Sequence, residues 1–251
     1  AHWRMPSGRR LRIGFLSQFL VGHTIGKLYQ GFLRLLDRSR FEVFLIQAPQ
    51  TNHDSVGAAL AQAVDRALRL SGPLAAQQQA IAALELDVLF YPDIGMSPAT
   101  YFLAFSRLAP VQLVSYGPPD TTGIDTLDYF LGGDLLEPPE GEAHYSERLI
   151  RLPRLPFYYQ AFAAPTQIPH RQALGLPASG TLYGCPQSLF KFHPDFDAVL
   201  AAIAAGDPTG HIVRIEGRAA TWSDRLRQRW AKSAPILNER VIFLPRQPLE
   251  R

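Results

Sequence analysis

The apolar residues of this chain fall into two alternating patterns. Short runs such as Leu11-Arg-Ile-Gly-Phe-Leu and Phe41-Glu-Val-Phe-Leu-Ile read as buried strands, and longer segments with apolar residues three and four apart read as helices. Along the first part of the chain this predicts strands over 10–16, 41–47, 87–91, 111–115, 128–132 and 147–152. It predicts helices over 28–36, 56–70, 74–84 and 97–106. Ser71-Gly-Pro73 supplies a stop between two of these helices. Strands alternating with helices predict a parallel α/β sheet covered on both faces.

The pattern breaks over 153–177, where prolines and aromatics crowd together as in an irregular linker. A second series follows, with strands over 181–184, 211–216 and 240–244 and helices over 195–205 and 222–231. The expected organisation is an α/β domain over 10–152, a proline-rich linker over 153–180, and the first half of a second doubly wound domain over 181–251. A sheet ending there leaves an apolar edge open, and the chain begins at Ala1 rather than methionine. Both features lead us to expect a piece of something longer.

Composition narrows the class. With 47% hydrophobic and 19% charged residues the chain can fill a real core and is not disordered. The net charge of +3 is small, so the basic groups around Arg9, Arg10 and Arg12 and over 225–232 read as solvated faces rather than nucleic-acid contacts. The lone cysteine, Cys185, excludes an internal disulfide and fits a reducing, cytoplasmic setting. No apolar run approaches the roughly 18 residues of a membrane span, and the first residues carry no signal-peptide core.

Chemistry is concentrated in loops at the predicted carboxyl ends of strands, where open α/β sheets bind ligands. The first holds Gly22-His-Thr-Ile-Gly26. His23 either carries a proton near neutral pH beside a ligand or caps a helix with no chemistry. A second, Gly117-Pro-Pro-Asp-Thr-Thr-Gly123, is stiff. It offers hydroxyls and backbone N–H groups to sugar or phosphate oxygens, or serves as a rigid turn. A third, Pro92-Asp-Ile-Gly-Met-Ser-Pro98, lies at the same end. In the second series, Lys191 of Gln187-Ser-Leu-Phe-Lys191 either places a point charge on a diphosphate leaving group or is an ordinary exposed lysine. No metal-ligand spacing, phosphate-binding Gly-x-x-x-x-Gly-Lys loop or Gly-x-Ser-x-Gly elbow is present.

Leu11-Arg-Ile-Gly-Phe-Leu-Ser, His23, Phe41-Glu-Val-Phe, Leu108-Ala-Pro-Val-Gln112, the 117–123 loop, Leu127-Asp-Tyr129 and Tyr145-Ser-Glu-Arg-Leu149 resemble, in order and spacing, the catalytic region of the O-linked N-acetylglucosamine transferase and SPINDLY family. Gln187-Ser-Leu-Phe-Lys191 resembles the opening of that family's nucleotide-sugar domain. The resemblance covers about residues 10–251. It implies a GT-B fold of two Rossmann-like lobes, the second incomplete here, with the active site between them. It also implies inverting transfer from a nucleotide sugar to a polypeptide acceptor, with no metal and no cofactor beyond a UDP-sugar co-substrate. By the same resemblance His23 is catalytic or acceptor-side and Lys191 contacts the diphosphate. Gly117, Pro119, Thr121, Thr122 and Gly123 line the sugar and acceptor pocket, and Ser188 lies near the nucleotide. The chain departs from the family pattern at Thr24, Lys27, Asp87 and Ser188. The expected reaction is transfer of N-acetylglucosamine from UDP to serine or threonine, with this chain inactive alone. GDP-fucose or UDP-glucose donors, or a non-catalytic binding module, are the alternatives.

Overall fold

In a computed structural model of the chain, residues 7–158 and 167–246 are described. The chain divides into two compact units, Ala1–Phe162 and Ala163–Arg251. The first holds seven parallel strands: β1 (Leu11–Ser17), β2 (Phe41–Gln47), β3 (Arg66–Arg69), β4 (Val88–Tyr91), β5 (Val111–Val114), β6 (Tyr129–Gly133) and β7 (Arg148–Leu152), in the order β3-β2-β1-β4-β5-β6-β7. Its helices are α1 (Thr24–Leu35), α2 (Ser55–Gln62), α3 (Leu74–Ala82) and α4 (Pro98–Ala104).

Successive side chains of a strand point to opposite faces, so an apolar run feeds two cores at once. Phe15, Val43, Leu45 and Phe90 pack with Ile25, Tyr29 and Leu33 of α1 and Leu60 of α2. Leu16, Phe44, Ile46, Leu89 and Tyr91 pack on the other side with Ile81 of α3 and Leu103 of α4. Burying each such side chain stabilises by roughly 1.5–3 kcal/mol, which is why the central runs carry no polar alternation.

One expected element is corrected. The helix predicted over 56–70 stops at Gln62, and Arg66-Ala-Leu-Arg69 forms the edge strand β3, paired with β2. Locally these residues favour a helix. Asp65 overrides that preference. Its N–H donates to the Val43 carbonyl (3.0 Å), and its carboxylate accepts from the Val43 N–H (2.9 Å) and from Arg10 (2.7 Å). These bonds lay the following residues along the open edge of β2. With a single neighbour, β3 can leave Arg66 exposed.

The second unit holds β8 (Leu182–Gly184), β9 (His211–Ile215) and β10 (Val241–Leu244), parallel in the order β10-β9-β8, with α5 (Asp195–Gly206), α6 (Ala220–Ser233) and α7 (Ile236–Arg240). The short α7 is not in the predicted pattern. Leu189, Phe192, Leu200, Ile212, Leu226, Trp230 and Leu237 form its core. The start of the proline-rich stretch packs on the first unit: the Phe157 ring lies 6.1 Å from Tyr29, and the Tyr158 N–H donates to the Leu28 carbonyl (2.8 Å). The middle of that stretch (159–166), the first six residues and the final five lie outside the described residues.

Candidate active site

The strand order reverses between β1 and β4, and the carboxyl edge at such a reversal is where open parallel sheets bind ligands. Asp93 is fully buried there. Ser17 Oγ donates to Asp93 Oδ2 (3.0 Å), and the Phe19 N–H donates to Ser17 Oγ (2.7 Å). Ser97 Oγ donates to Gln18 Oε1 (2.5 Å), which closes the link between the two loops. Asp93 Oδ1 is buried with no hydrogen-bond partner. Burial pushes the Asp93 carboxyl up to about 7, against the hydrogen bonds from Ser17 and the backbone. Sequence reasoning singled out the 92–98 loop but not this acid. Its only signal was an Asp just past the end of a buried strand.

His23 is the N-cap of α1. Its Nδ1 accepts from the Ile25 N–H (3.2 Å), its ring lies 4.8 Å from that of Phe19, and burial lowers its pKa. The glycines around it serve the protein's own packing. A Cβ on Gly26 would sit 2.0 Å from the Val21 carbonyl oxygen, and one on Gly22 would sit 2.9 Å from Asp54 Oδ2. Beside this loop lies an open cavity of about 540 Å³ lined by residues including Gln47, Asn52, His53 and Ser55.

The 117–123 loop is split. A Cβ on Gly117 would lie 2.6 Å from the Asp93 Cα, and the Gly95 Cβ position is 3.1 Å from Pro118, so the loop's start packs against the β4 loop at the carboxyl edge. Pro119 follows directly, and Gly123 ends the loop with φ +64°. Thr121 and Thr122 turn to Glu147, which immediately precedes β7. Thr121 Oγ1 donates to Glu147 Oε2 (2.7 Å), the Thr122 N–H donates to Oε1 (3.0 Å), and the Thr122 hydroxyl also bonds Oε1. Burial alone would raise the Glu147 carboxyl, but the Thr122 and Thr121 hydroxyls and backbone N–H groups outweigh it and hold it low. Both threonine hydroxyls are thus engaged within the protein.

In the second unit, Ser188 and Lys191 are exposed on the segment after β8, Lys191 closing a short 3-10 helix, Leu189–Lys191. Asp87 stands at the opposite, amino end of the first sheet, where Arg9 binds it through two nitrogens (2.6 and 2.8 Å) and the Arg12 N–H donates to it (2.9 Å). With Arg10 bonded to Asp65 and Arg12 to Glu42 and Glu85, the first basic cluster is an ion-paired sheet edge. Among the described residues no group of three or more His, Cys, Asp or Glu is placed to hold a metal, and no helix is long and apolar enough to cross a membrane.

A doubly wound parallel sheet with its loops gathered at a switch point, followed by a second parallel α/β unit, is the architecture of GT-B glycosyltransferases. An O-GlcNAc transferase variant of Thermobaculum terrenum superposes with a TM-score of 0.81 at 26% identity, covering 96% of this chain and 45% of that one. Anabaena HepE, solved with UDP-glucose, shares the fold alone, with a TM-score of 0.51 at 13% identity over 95% of this chain and 70% of its own. The chain belongs to Glycosyl transferase family 41, whose profile matches residues 2–163. A probable UDP-N-acetylglucosamine–peptide N-acetylglucosaminyltransferase of Arabidopsis thaliana, SEC, is 25% identical over 197 residues, 74% of this chain and 20% of its own length. A UDP-glucose:protein N-β-glucosyltransferase of Actinobacillus pleuropneumoniae is 38% identical over 78 residues, 30% of this chain and 12% of its own. The chain therefore spans a minor part of these curated relatives.

Proposed function

We propose that the protein is a protein glycosyltransferase that moves a sugar, N-acetylglucosamine by preference, from a UDP-sugar to a serine or threonine hydroxyl of a polypeptide with inversion. The hydroxyl oxygen bonds to the anomeric carbon as the bond to the diphosphate breaks, UDP departs, and the hydroxyl proton is released. Lys191 stabilises the departing diphosphate charge. Ser188 lies beside the nucleotide, and Gly117, Pro119 and Gly123 shape the sugar and acceptor side. Because its Nδ1 accepts the Ile25 N–H, a neutral His23 is assigned the tautomer with its proton on Nε2. That tautomer donates a hydrogen bond. We therefore give His23 the role of orienting the acceptor oxygen, rather than of removing its proton. The observation that carries the reading is the position of His23, on a carboxyl-edge loop beside the switch point and inside the region that defines the family.

A second reading, transfer of glucose to asparagine, is favoured by the higher local identity of the Actinobacillus enzyme, 38% over 78 residues. One panel separates them: UDP-N-acetylglucosamine, UDP-glucose and GDP-fucose against Ser/Thr and Asn peptides, with product masses read on the whole protein. UDP binding without turnover on any pair would identify a binding module instead. Lys191→Ala should lower turnover by roughly 100-fold or more, the scale for removing a group that stabilises transition-state charge. His23→Ala should cost less. An unchanged rate in Lys191→Ala would remove that lysine from the mechanism.

A further inference from the structure

The peptide that precedes His23 is pinned at both ends. Its carbonyl, that of Val21, accepts from the His23 N–H at 2.6 Å, and its N–H, that of Gly22, donates to Asp54 Oδ2 at 2.7 Å. The other oxygen, Asp54 Oδ1, accepts from the Gly57 N–H at 2.7 Å and caps α2. An N-cap needs one side-chain oxygen. Here the second oxygen reaches 32 positions back along the chain to the residue next to His23. Gly22 is what permits it, since a Cβ there would meet the same oxygen at 2.9 Å.

We propose that Asp54 is a positioning residue for His23: its carboxylate clips the β1–α1 loop to the start of α2 and sets the backbone from which the imidazole projects. The proposal rests on the reading of His23 as an acceptor-side group, and its test keeps the two apart. Asp54→Ser keeps a capping oxygen for Gly57 and has none for Gly22. Asp54→Asn caps as well as Asp but turns an amide NH2 toward one of the two N–H groups. In Asp54→Ser, hydrogen exchange at Gly22 and His23 should speed up roughly tenfold, the equilibrium weight of one hydrogen bond, with Gly57 still protected; in Asp54→Asn, whichever of Gly22 and Gly57 faces the NH2 should lose protection. The His23 ring should titrate closer to its ordinary value as it gains solvent. Transfer to peptide should fall roughly five- to tenfold, while UDP affinity and donor hydrolysis stay as in the parent. Unchanged exchange at Gly22 in Asp54→Ser, or faster exchange with an unmoved His23 titration, overturns the clip. Faster exchange with undiminished peptide transfer, in a protein where His23→Ala does lower transfer, overturns its role in positioning. If His23→Ala leaves transfer unchanged, the reading of His23 falls, and exchange with the ring titration still decides the clip.

Discussion

In the first unit, β1 buries Gly14, Phe15, Leu16 and Ser17 in succession and β2 buries Val43 through Ile46, whereas β9 of the second unit buries alternate residues, Ile212 and Arg214. Each unit also buries an ionisable group that lacks a full set of partners, and the two resolve it differently. Asp93 sits at a strand end with one oxygen bonded and the other orphaned, and it can shed its charge because its pKa is pushed up to about 7. Arg214 sits within a strand with no hydrogen-bond partner for its guanidinium, and burial pushes it down only to about 10, so it stays charged. The nearby acid, Asp197, is already bonded to Arg229 (2.8 Å) and to the Trp230 Nε1–H (2.9 Å). Arg214 instead lies over the Phe192 ring, 3.1 Å from its centroid. A carboxylic acid can be buried by taking up a proton. A guanidinium has to find a carboxylate or a π face, or carry its desolvation cost.

The largest expected effect is at Asp93. Its folded pKa lies above the unfolded value, so the folded state holds a proton that the unfolded state has lost between about pH 4 and pH 7. Stability should decline as pH rises through that window, by on the order of 4 kcal/mol at about 1.4 kcal/mol per pKa unit. Asp93→Asn should flatten the profile and be the more stable protein at pH 8. Chemical denaturation from pH 5 to pH 8 checks this, and a flat parent profile would mean that Asp93 is comfortably ionised.

Arg214→Met comes next. Replacing a buried charge with an apolar side chain of similar length should stabilise the second unit by roughly 1–4 kcal/mol, with no pH dependence between 5 and 8. A fall in Tm would show that the Phe192 ring more than repays the desolvation, and the contrast with Asp93 would vanish.

The smallest effect is at Glu147. Glu147→Gln should cost roughly 1–3 kcal/mol at neutral pH, because hydrogen bonds to a charged acceptor become neutral ones. The folded pKa is lowered, so this stabilisation is present above the unfolded value and lost as pH falls through the folded one. The variant's acid-unfolding limb should therefore be shallower, and an identical limb would detach Glu147 from the stability of the 117–123 loop.

Much of the fold was legible because its signals are local. β1, β2 and β4 are central strands whose apolar runs admit one interpretation. β3 was not legible, since Arg66-Ala-Leu-Arg69 favours a helix until Asp65 is tied to Val43 and Arg10. In the candidate site, His23 and the 117–123 loop stood out by residue type and by their place after strands. Asp54, Asp93 and Glu147 did not, because an acid in a loop carries no mark of what it will bind.

The sequence by itself determined the strands and helices other than β3 and α7, that the sheets are parallel, and which loops gather at a carboxyl edge. Those properties follow from side-chain periodicity and turn chemistry over a few residues. Only the tertiary structure decided that Thr121 and Thr122 are held by an acid about 25 residues further on, that Asp93 meets Ser17 across 76 positions, and that Gly22 is clipped by Asp54. Hydrogen-bond partners so far apart in sequence become neighbours only once strand order and register are set. No local pattern carries that information.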